Sequence, residues 1–277
     1  MQKGLTFRGI HSASLGVSVK TRSRPVLPEA RRLTFEPAAA DGVRDLSAFN
    51  SRGRVLYSER RFTADMHVSA DDVDGLQKKL ARIASWLCGS GELVFDDLPD
   101  VVWKASMLGM LDYAPERAGK QAILSAEFNA EPFSYAPFTA RQGIPIGSSR
   151  PIGSDIPIGL PGILTYTLGA SGTVEALNIG TAPTRPVITI NDPFGTYTAE
   201  INGVSIEAEI GASADALVID CENYRVYAVN GSGYLRFSGT FPELFPGMNE
   251  IRISGIGIAG KTVTVDYRPR FLYGWEV

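Results

Sequence analysis

PIGSSRPIGSDIPIGLPG, residues 145–162, repeats Pro-Ile-Gly three times with a six-residue step. Proline fixes φ and has no amide hydrogen to donate, and glycine adds conformational freedom. Such units cannot continue a helix and fit poorly in a central strand. We therefore interpret residues 141–162 as an extended linker between two unlike domains, 1–140 and 163–277. The alternatives are one long surface loop within a single domain and, less favoured, a hexapeptide β-solenoid, whose few short turns could not bury a core.

The composition outside this repeat is that of a foldable globular protein of one or two domains. The chain has 277 residues, of which 44% are hydrophobic and 21% are charged. Its 29 glycines and 17 prolines predict many turns and therefore much β-structure. A net charge of −3 and a pI near 5.5 argue against general nucleic-acid binding. The chain begins MQKGLTF, without an apolar stretch long enough for a signal peptide or a membrane span, so we expect a soluble protein made in the cytosol.

The two cysteines fall one in each half of the chain. Cys88 lies at the end of a predicted helix, and Cys221 lies in a predicted strand. We interpret both as buried free thiols. A disulfide between the two domains is the alternative.

One amphipathic helix is the clearest element of the first half. Over residues 69–87 the apolar side chains, beginning with Val73, recur at helical spacing. Ser69 is placed to cap the N-terminus, with Asp72 three residues later, and Gly89 is placed to end the helix. The helix must lie on a sheet, because one of its faces is apolar.

Strands are predicted on both sides of that helix. In the last of them, alternate small and apolar side chains share one face from Ala122 to Ala130, and in an earlier one Val55, Tyr57, Phe62 and Met66 are expected to face inward. One helix on a mostly antiparallel sheet makes domain 1–140 α+β. The predicted strands are 5–7, 15–19, 33–36, 54–68, 91–95, 101–112 and 121–135.

The second half contains strand patterns and no helical period. Asn202-Gly203 predicts a hairpin turn of the primed type, and residues 230–233 predict another. Turn signals at about ten-residue spacing favour an antiparallel β-sandwich. The predicted strands are 165–168, 174–178, 187–190, 197–201, 204–210, 217–221, 225–229, 234–237, 249–254 and 262–268.

Residues that could carry chemistry are few. His11 and His67 have no neighbour at metal-ligand spacing, and no nucleotide-binding or nucleophile motif occurs, so we expect no metal, no cofactor and no catalytic residue. Two groups of carboxylates leave a glycoside hydrolase as a distant alternative, since residues two apart on a strand meet the required spacing. Surface clusters of this kind are common, and residues 96–100 fit a turn between strands. The two groups are Asp96, Asp97 and Asp100, and Glu207 with Glu209.

Aromatic residues of the second half could form a sugar-stacking platform. The candidates are Tyr224, Tyr227 and Tyr234 on neighbouring predicted strands, with Tyr273 and Trp275 near the C-terminus. Packing in the core or at its rim is the alternative explanation.

A basic segment follows the second predicted strand. Its arginines Arg22, Arg24, Arg31 and Arg32 are interrupted by prolines, as in an exposed arm. The segment is either a solvated face or a contact with another subunit or with a tube.

Both halves resemble the distal tail protein family of siphophages, bacteriophages with long non-contractile tails. The resemblance rests on the order and spacing of several short motifs. In the first half these are GLTFRGIHSASLGV at 4–17, ASWL at 84–87, GELVFDD at 91–97, VWKA at 102–105 and AEFNAEP at 126–132. In the second half they are NIGTA at 178–182, PVITI at 186–190, PGMNEI at 246–251, SG at 254–255 and RPRF at 268–271.

The resemblance implies a structural protein that is not an enzyme. Members form a hexameric ring at the tail tip, with the α+β domains building the ring and a galectin-like β-sandwich projecting outward. The ring joins the tail tube protein to the hub, or tail-associated protein, and to receptor-binding or adhesion proteins. The resemblance therefore implies a baseplate component in the virion tail tip, assembled in the host cytoplasm. The Arg22–Arg32 segment becomes a candidate intersubunit or tube contact.

One departure from the galectin pattern concerns sugar binding. Galectins bind galactosides through a histidine-containing polar cluster and a stacking tryptophan. No histidine follows His67, and Trp275 is the only tryptophan of the second half. We therefore expect a galectin-like fold without the galectin site. A carbohydrate-binding protein that attaches the particle to cell-wall sugars through the sandwich is the alternative function.

Overall fold

The computed structural model describes residues 4–38, 41–47, 55–109, 111, 113–116, 119–139, 165–169 and 172–274. The chain divides into two compact units, one of Met1–Ser134 with Leu272–Val277 and the other of Tyr135–Phe271. The predicted linker 141–162 lies outside the described residues, and the predicted domain boundaries stay a prediction.

The N-terminal unit contains an antiparallel sheet and the α-helix α1 at Val73–Leu87. A short 3-10 helix spans Ser12–Leu15. The strands are β1 Leu5–Phe7, β2 Ile10–His11, β3 Val17–Ser23, β4 Thr34–Phe35, β5 Arg44–Asp45, β6 Arg60–Ser69, β7 Ser90–Phe95, β8 Leu98–Met107, β9 Tyr113–Glu116 and β10 Gln121–Ala130. Their order in the main sheet is β2-β1-β7-β8-β10-β6-β3, with β9 also paired to β10, while β4 and β5 form a separate hairpin. The predicted α+β class is confirmed.

Strict alternation in β10 places one face of this sheet in the core. Every second residue from Ala122 to Ala130 is buried, as the sequence predicts. The long register with β6, from Gln121 opposite Ser69 to Ala130 opposite Arg60, holds the two strands side by side. Edge-to-face rings then fill the centre, with the Phe62 and Trp103 centroids 5.3 Å apart.

The helix begins later than the sequence predicts. Asp72, not Ser69, is the N-cap, and its carboxylate accepts a 2.6 Å hydrogen bond from the Gly75 amide. Ser69 ends β6 instead, because its pairing with Gln121 satisfies the strand. Val73 consequently sits in the exposed first turn. The predicted helix end is confirmed, since Gly89 follows with φ +96°.

Two further expectations about burial are wrong in the N-terminal unit. Val55 is exposed, because β6 begins only at Arg60. Cys88 is also exposed, because it is the C-cap residue at which the chain leaves the helix. Cys221 is buried as predicted, and both cysteines are free, which excludes the disulfide.

The second unit is an antiparallel sandwich of two five-stranded sheets. The strands are β12 Thr165–Thr167, β13 Thr173–Asn178, β14 Val187–Asn191, β15 Gly195–Ile201, β16 Val204–Ile210, β17 Ala216–Asp220, β18 Arg225–Val229, β19 Leu235–Gly239, β20 Gly247–Gly255 and β21 Thr262–Asp266. Sheet I has the order β12-β21-β14-β17-β18. Sheet II has the order β13-β20-β15-β16-β19. Two-residue strands β11, Ser134–Tyr135, and β22, Arg270–Phe271, lie outside both sheets. All ten predicted strands of this half are present. The sheets pack through alternating aliphatic residues such as Ile188, Ile206 and Val263.

The two predicted hairpin turns of the sandwich differ in outcome. Asn202 and Gly203 have φ of +53° and +74° between β15 and β16, a primed turn as predicted. Residues 230–233 do not close a hairpin, because β18 pairs with β17 in sheet I and β19 pairs with β16 in sheet II. That turn carries the chain from the edge of one sheet to the edge of the other.

Across the described residues, no helix combines the length and the apolar character that crossing a membrane requires.

Candidate interaction surfaces

A long excursion between β3 and β6 forms the first candidate surface, which we call the arm: residues 24–59, described at 24–38, 41–47 and 55–59. Its base is fixed to itself, since Ala30 bridges Tyr57 and the Arg31 amide donates to the Leu56 carbonyl over 2.7 Å. Beyond the base, the described residues include the β4–β5 hairpin, in which each strand has two residues. An isolated two-stranded hairpin is marginally stable in water.

The arm exposes an unusual share of large apolar side chains. Exposed groups of this kind mark interaction surfaces when they cluster. The exposed residues are Val26, Leu27, Leu33, Phe35, Val43, Leu46, Val55 and Leu56. Sequence reasoning identified the arm by its arginines and missed this apolar character, because isolated apolar residues among prolines show no periodicity.

The four predicted contact arginines have different environments. Arg31 and Arg32 are exposed on the arm. Arg22 is more than half exposed, and its Nε donates to Asp65 Oδ2 over 2.5 Å.

Arg24 is the exception, because its side chain is only 14% exposed and is used within the N-terminal unit. Its two terminal nitrogens donate to Asp97 over 2.8 and 3.0 Å, and its guanidinium lies 4.7 Å from the Phe95 ring centroid. Burial alone would lower the pKa of Arg24, but the hydrogen bonds and charge of Asp97, with help from Tyr273, raise it. Arg24 therefore anchors the start of the arm, and the external contact stays a prediction for all four arginines.

A second arginine, Arg60, is the first residue of β6 and contacts the start of the arm. It is 2% exposed and donates to backbone carbonyls of three chain segments. The acceptors are Pro132 at 2.7 Å, Pro25 at 2.9 Å, Val26 at 3.0 Å and Leu272. Burial lowers the pKa of Arg60 to about 10, which still leaves the side chain charged at neutral pH. No sequence signal predicted this role, because the carbonyls come from distant positions.

The second candidate surface is the open side of the sandwich, where the edge strands β18 and β19 lie. The predicted stacking tyrosines do not share one platform there. Tyr227 lies on the outer face of sheet I, since its neighbour Val226 is in the core. Tyr234 donates from its hydroxyl to Glu209, which projects from the outer face of sheet II. Trp275, the fourth candidate, lies outside the described residues, and Tyr273 belongs to the N-terminal unit.

Tyr224 lies between those two faces and heads an aromatic strip: Tyr224, Phe241 and Phe237. The Tyr224 and Phe241 rings meet edge-to-face at 5.6 Å, and Phe241 and Phe237 meet at 5.9 Å. Tyr224 is 54% exposed and Phe237 is 51% exposed, so each presents about half of its surface to solvent. Phe237 was not a sequence candidate, because its exposure follows from the position of β19 at the sheet edge.

An ion pair supports the strip from one side. The Arg185 guanidinium lies 4.6 Å from the Tyr224 ring centroid, and its Nε donates to Glu243 over 3.2 Å. Both charged side chains are largely buried. Tyr224 also has φ +54°, a left-handed conformation that is an outlier for a bulky residue. The packing of its ring and the ion pair hold this conformation in place.

Three of the five carboxylates considered for hydrolysis make contacts within the protein. Asp96 accepts hydrogen bonds from the Gly4 amide at 2.7 Å and from His11 Nε2 at 3.0 Å, and Asp97 binds Arg24. Glu209 binds Tyr234. Among the described residues, no group of three or more histidine, cysteine or carboxylate side chains could hold a metal ion.

Comparison with known proteins identifies both units. Residues 11–129 match the family of phage tail proteins with a RIFT-related domain, and residues 179–271 match the C-terminal domain of the siphovirus-type tail component, SPP1 Dit. Together the matched segments cover about three quarters of the chain. No curated protein matches the chain.

Solved structures also match the chain over nearly its whole length. The crystal structure of the SPP1 Dit protein, titled a paradigm of the hub adsorption apparatus in phages that infect Gram-positive bacteria, has a TM-score of 0.64 and 13% identity, with 97% of this chain and 99% of that chain covered. The structure of the phage p2 baseplate in its activated conformation has a TM-score of 0.44 and 9% identity, with 95% of this chain and 97% of that chain covered. This similarity is too low to support an inference. The first similarity confirms the predicted order of an α+β domain and a galectin-like sandwich.

Proposed function

The chain belongs to the distal tail protein family of siphophages, and we propose that it forms a hexameric ring that joins the tail tube to the hub and adhesion proteins. As a member, it is a structural component of the phage tail tip. The ring, its contacts with the tube and hub, and assembly in the host cytoplasm are the parts that we propose.

The exposed apolar arm is the observation that most directly supports the proposed ring. Its side chains include Phe35 and Val43 on a hairpin too short to form a core of its own. Burying such groups against a neighbour removes their apolar surface from water, at about 25 cal/mol per Å². The arm therefore requires a partner surface, and the adjacent subunit supplies it.

The pinned base of the arm supports a fixed direction of contact. Arg24 and Arg60 tie the start of the arm to the N-terminal unit, and Arg60 directly follows the arm's last residue, so the hairpin projects from a fixed base. A cyclic ring needs such heterologous contacts, in which unlike patches meet at each interface. Arg31 and Arg32 contribute positive charge beside the apolar residues and steer the pairing.

Assembly of arm variants tests this proposal. The double variants Phe35→Asp with Val43→Asp, and Arg31→Glu with Arg32→Glu, are expected to shift the purified protein from ring to monomer in size-exclusion chromatography with light scattering. The first change places charge in the proposed interface, and the second reverses its polar rim. Arg22 and Arg24 are left intact, because they bind Asp65 and Asp97 within the subunit.

Matched controls lie in the sandwich. Met248→Asp with Ile256→Asp changes two exposed apolar residues, and Arg236→Glu with Arg252→Glu reverses two exposed arginines. Both controls are expected to keep the ring. An arm variant that assembles like the wild type, with an unchanged melting temperature, would remove the arm from the interface.

A further inference from the structure

We propose that the aromatic strip of Tyr224, Phe241 and Phe237, with the Arg185–Glu243 ion pair, is a saccharide-binding site on the open side of the sandwich. The proposal does not depend on the ring, because all five residues belong to one subunit and one unit of it. It differs from the four-residue platform that the sequence suggested, in which Tyr227, Tyr234 and Trp275 were equal members.

Tyr224 has a strained backbone conformation, with φ +54°. A left-handed conformation is strained for a non-glycine residue, and it persists only where the surroundings enforce it. At Tyr224 the surroundings are the Phe241 edge and the Arg185 cation, and the strain serves to present a half-exposed ring. Asparagine or glycine would occupy this turn position without strain, so the fold alone does not require tyrosine.

The three rings of the strip hold one another in a fixed arrangement. Tyr224 and Phe237 both contact the ring of Phe241, which is partly buried and packs against the core. The two exposed rings are therefore held by a third ring and lose little side-chain freedom when a ligand binds. Such preorganisation favours affinity for a small surface.

The mixed chemistry of the strip decides the class of ligand. A pyranose ring has a C–H face that packs on an aromatic ring and a rim of hydroxyl groups that need donors and acceptors. The exposed aromatic faces match the first, and Arg185 with Glu243 matches the second.

The same combination of components recurs on both sides of the strip. The Arg225 guanidinium lies 5.1 Å from the Tyr227 ring centroid and donates to Asp220, and the Arg236 guanidinium lies 4.9 Å from the Tyr234 centroid beside Glu209. These two pairs lie on the outer faces of different sheets, so they stand apart from the strip.

Titration calorimetry of the full-length protein tests the proposal, with neutral hexasaccharides of glucose, galactose and N-acetylglucosamine as probes. The wild type is expected to bind at least one of them. Tyr224→Asn removes the ring but keeps a residue that tolerates the left-handed turn, so it is expected to weaken binding at least roughly tenfold at unchanged melting temperature. Phe237→Ala is expected to do the same.

Two controls separate stacking from general effects. Tyr224→Phe keeps the ring and is expected to bind like the wild type. Phe194→Ala removes an aromatic residue that is 64% exposed elsewhere in the sandwich, and it too is expected to leave binding unchanged.

Three outcomes would overturn the proposal. They are no binding of any probe, binding that Tyr224→Asn and Phe237→Ala leave intact, and Tyr224-dependent binding of a proline-rich peptide such as PIGSSRPIGSDIPIGLPG without saccharide binding. The last outcome would make the strip a peptide-binding surface. None of the three bears on ring formation, which is measured separately by light scattering.

Discussion

Arg60 illustrates how one buried side chain organises the N-terminal unit. It satisfies carbonyls at Pro25, Val26, Pro132 and Leu272, so it ties the start of the arm and the C-terminal segment to the sheet. Carbonyl groups surround it as hydrogen-bond acceptors, which compensates for removing the cation from water.

Replacing Arg60 by methionine is expected to destabilise the N-terminal unit by roughly 2–4 kcal/mol, because buried carbonyls lose their donor. Calorimetric melting of the full-length protein measures the effect. The control is Arg61→Met, whose exposed ion pair with Glu127 is worth less than about 0.5 kcal/mol. Equal effects of the two substitutions would contradict the role assigned to Arg60.

Asp220 gives the sandwich a dependence on acid pH. Burial raises the pKa of this carboxyl, but hydrogen bonds from Asn223 and Arg225 outweigh burial and hold it below its ordinary value of 3.8. Because the folded pKa is the lower one, the stabilisation is present above pH 3.8 and is lost as the pH falls through the folded value.

Asp220→Asn is therefore expected to cost about 1–3 kcal/mol at pH 7, with a difference from wild type that shrinks below pH 3.8. Thermal melts of the sandwich transition between pH 7 and pH 2 measure it, with the exposed Glu250→Gln as control. A difference that stays constant down to pH 2 would show that the charge of Asp220 is not involved.

At the scale of elements, Ser69 and Asp72 are two candidates for the N-cap of α1. Ser69 fits the sequence pattern of a cap, but Asp72 makes the hydrogen bond to Gly75. Asp72→Ala is expected to lower stability by about 1 kcal/mol, and Ser69→Ala by a few tenths, since the exposed Ser69 side chain lies at a strand end. Chemical denaturation monitored by far-UV circular dichroism measures both. The reverse order of effects would restore Ser69 as the cap.

Elements were more predictable than their contacts. Alternation in β10 and in the ten sandwich strands identified buried faces directly, because a period of two needs no knowledge of the partner strand. The beginning of α1 was misplaced because pairing of Ser69 with Gln121 is a long-range event. The turn at 230–233 was misread for the same reason, as strand partners cannot be deduced from a turn sequence alone.

The candidate surfaces were predicted only in part. The arm and Tyr224 were found from residue type, yet Arg24 proved to be an internal anchor of the unit. Its partner Asp97 lies 73 positions away along the chain, and no local pattern encodes that contact. Phe237 entered the second surface through the edge position of β19, and Arg185 through its contact with the Tyr224 ring.

At the scale of the whole molecule, the two units divide the proposed work. The N-terminal unit carries the arm that requires a neighbour, and the galectin-like sandwich carries the aromatic strip that binds saccharide. A ring multiplies the strip around one particle, so that even weak single sites would act together as a multivalent surface. Assembly and attachment are thus separable by substitution, with the arm variants affecting one and Tyr224→Asn the other.

Native mass spectrometry of the purified full-length protein tests the ring most directly. We expect a dominant species of six subunits, each of 29.8 kDa. The double variant Phe35→Asp with Val43→Asp is expected to be a single subunit. A wild-type protein that remains at 29.8 kDa across the concentration range would contradict the proposed ring.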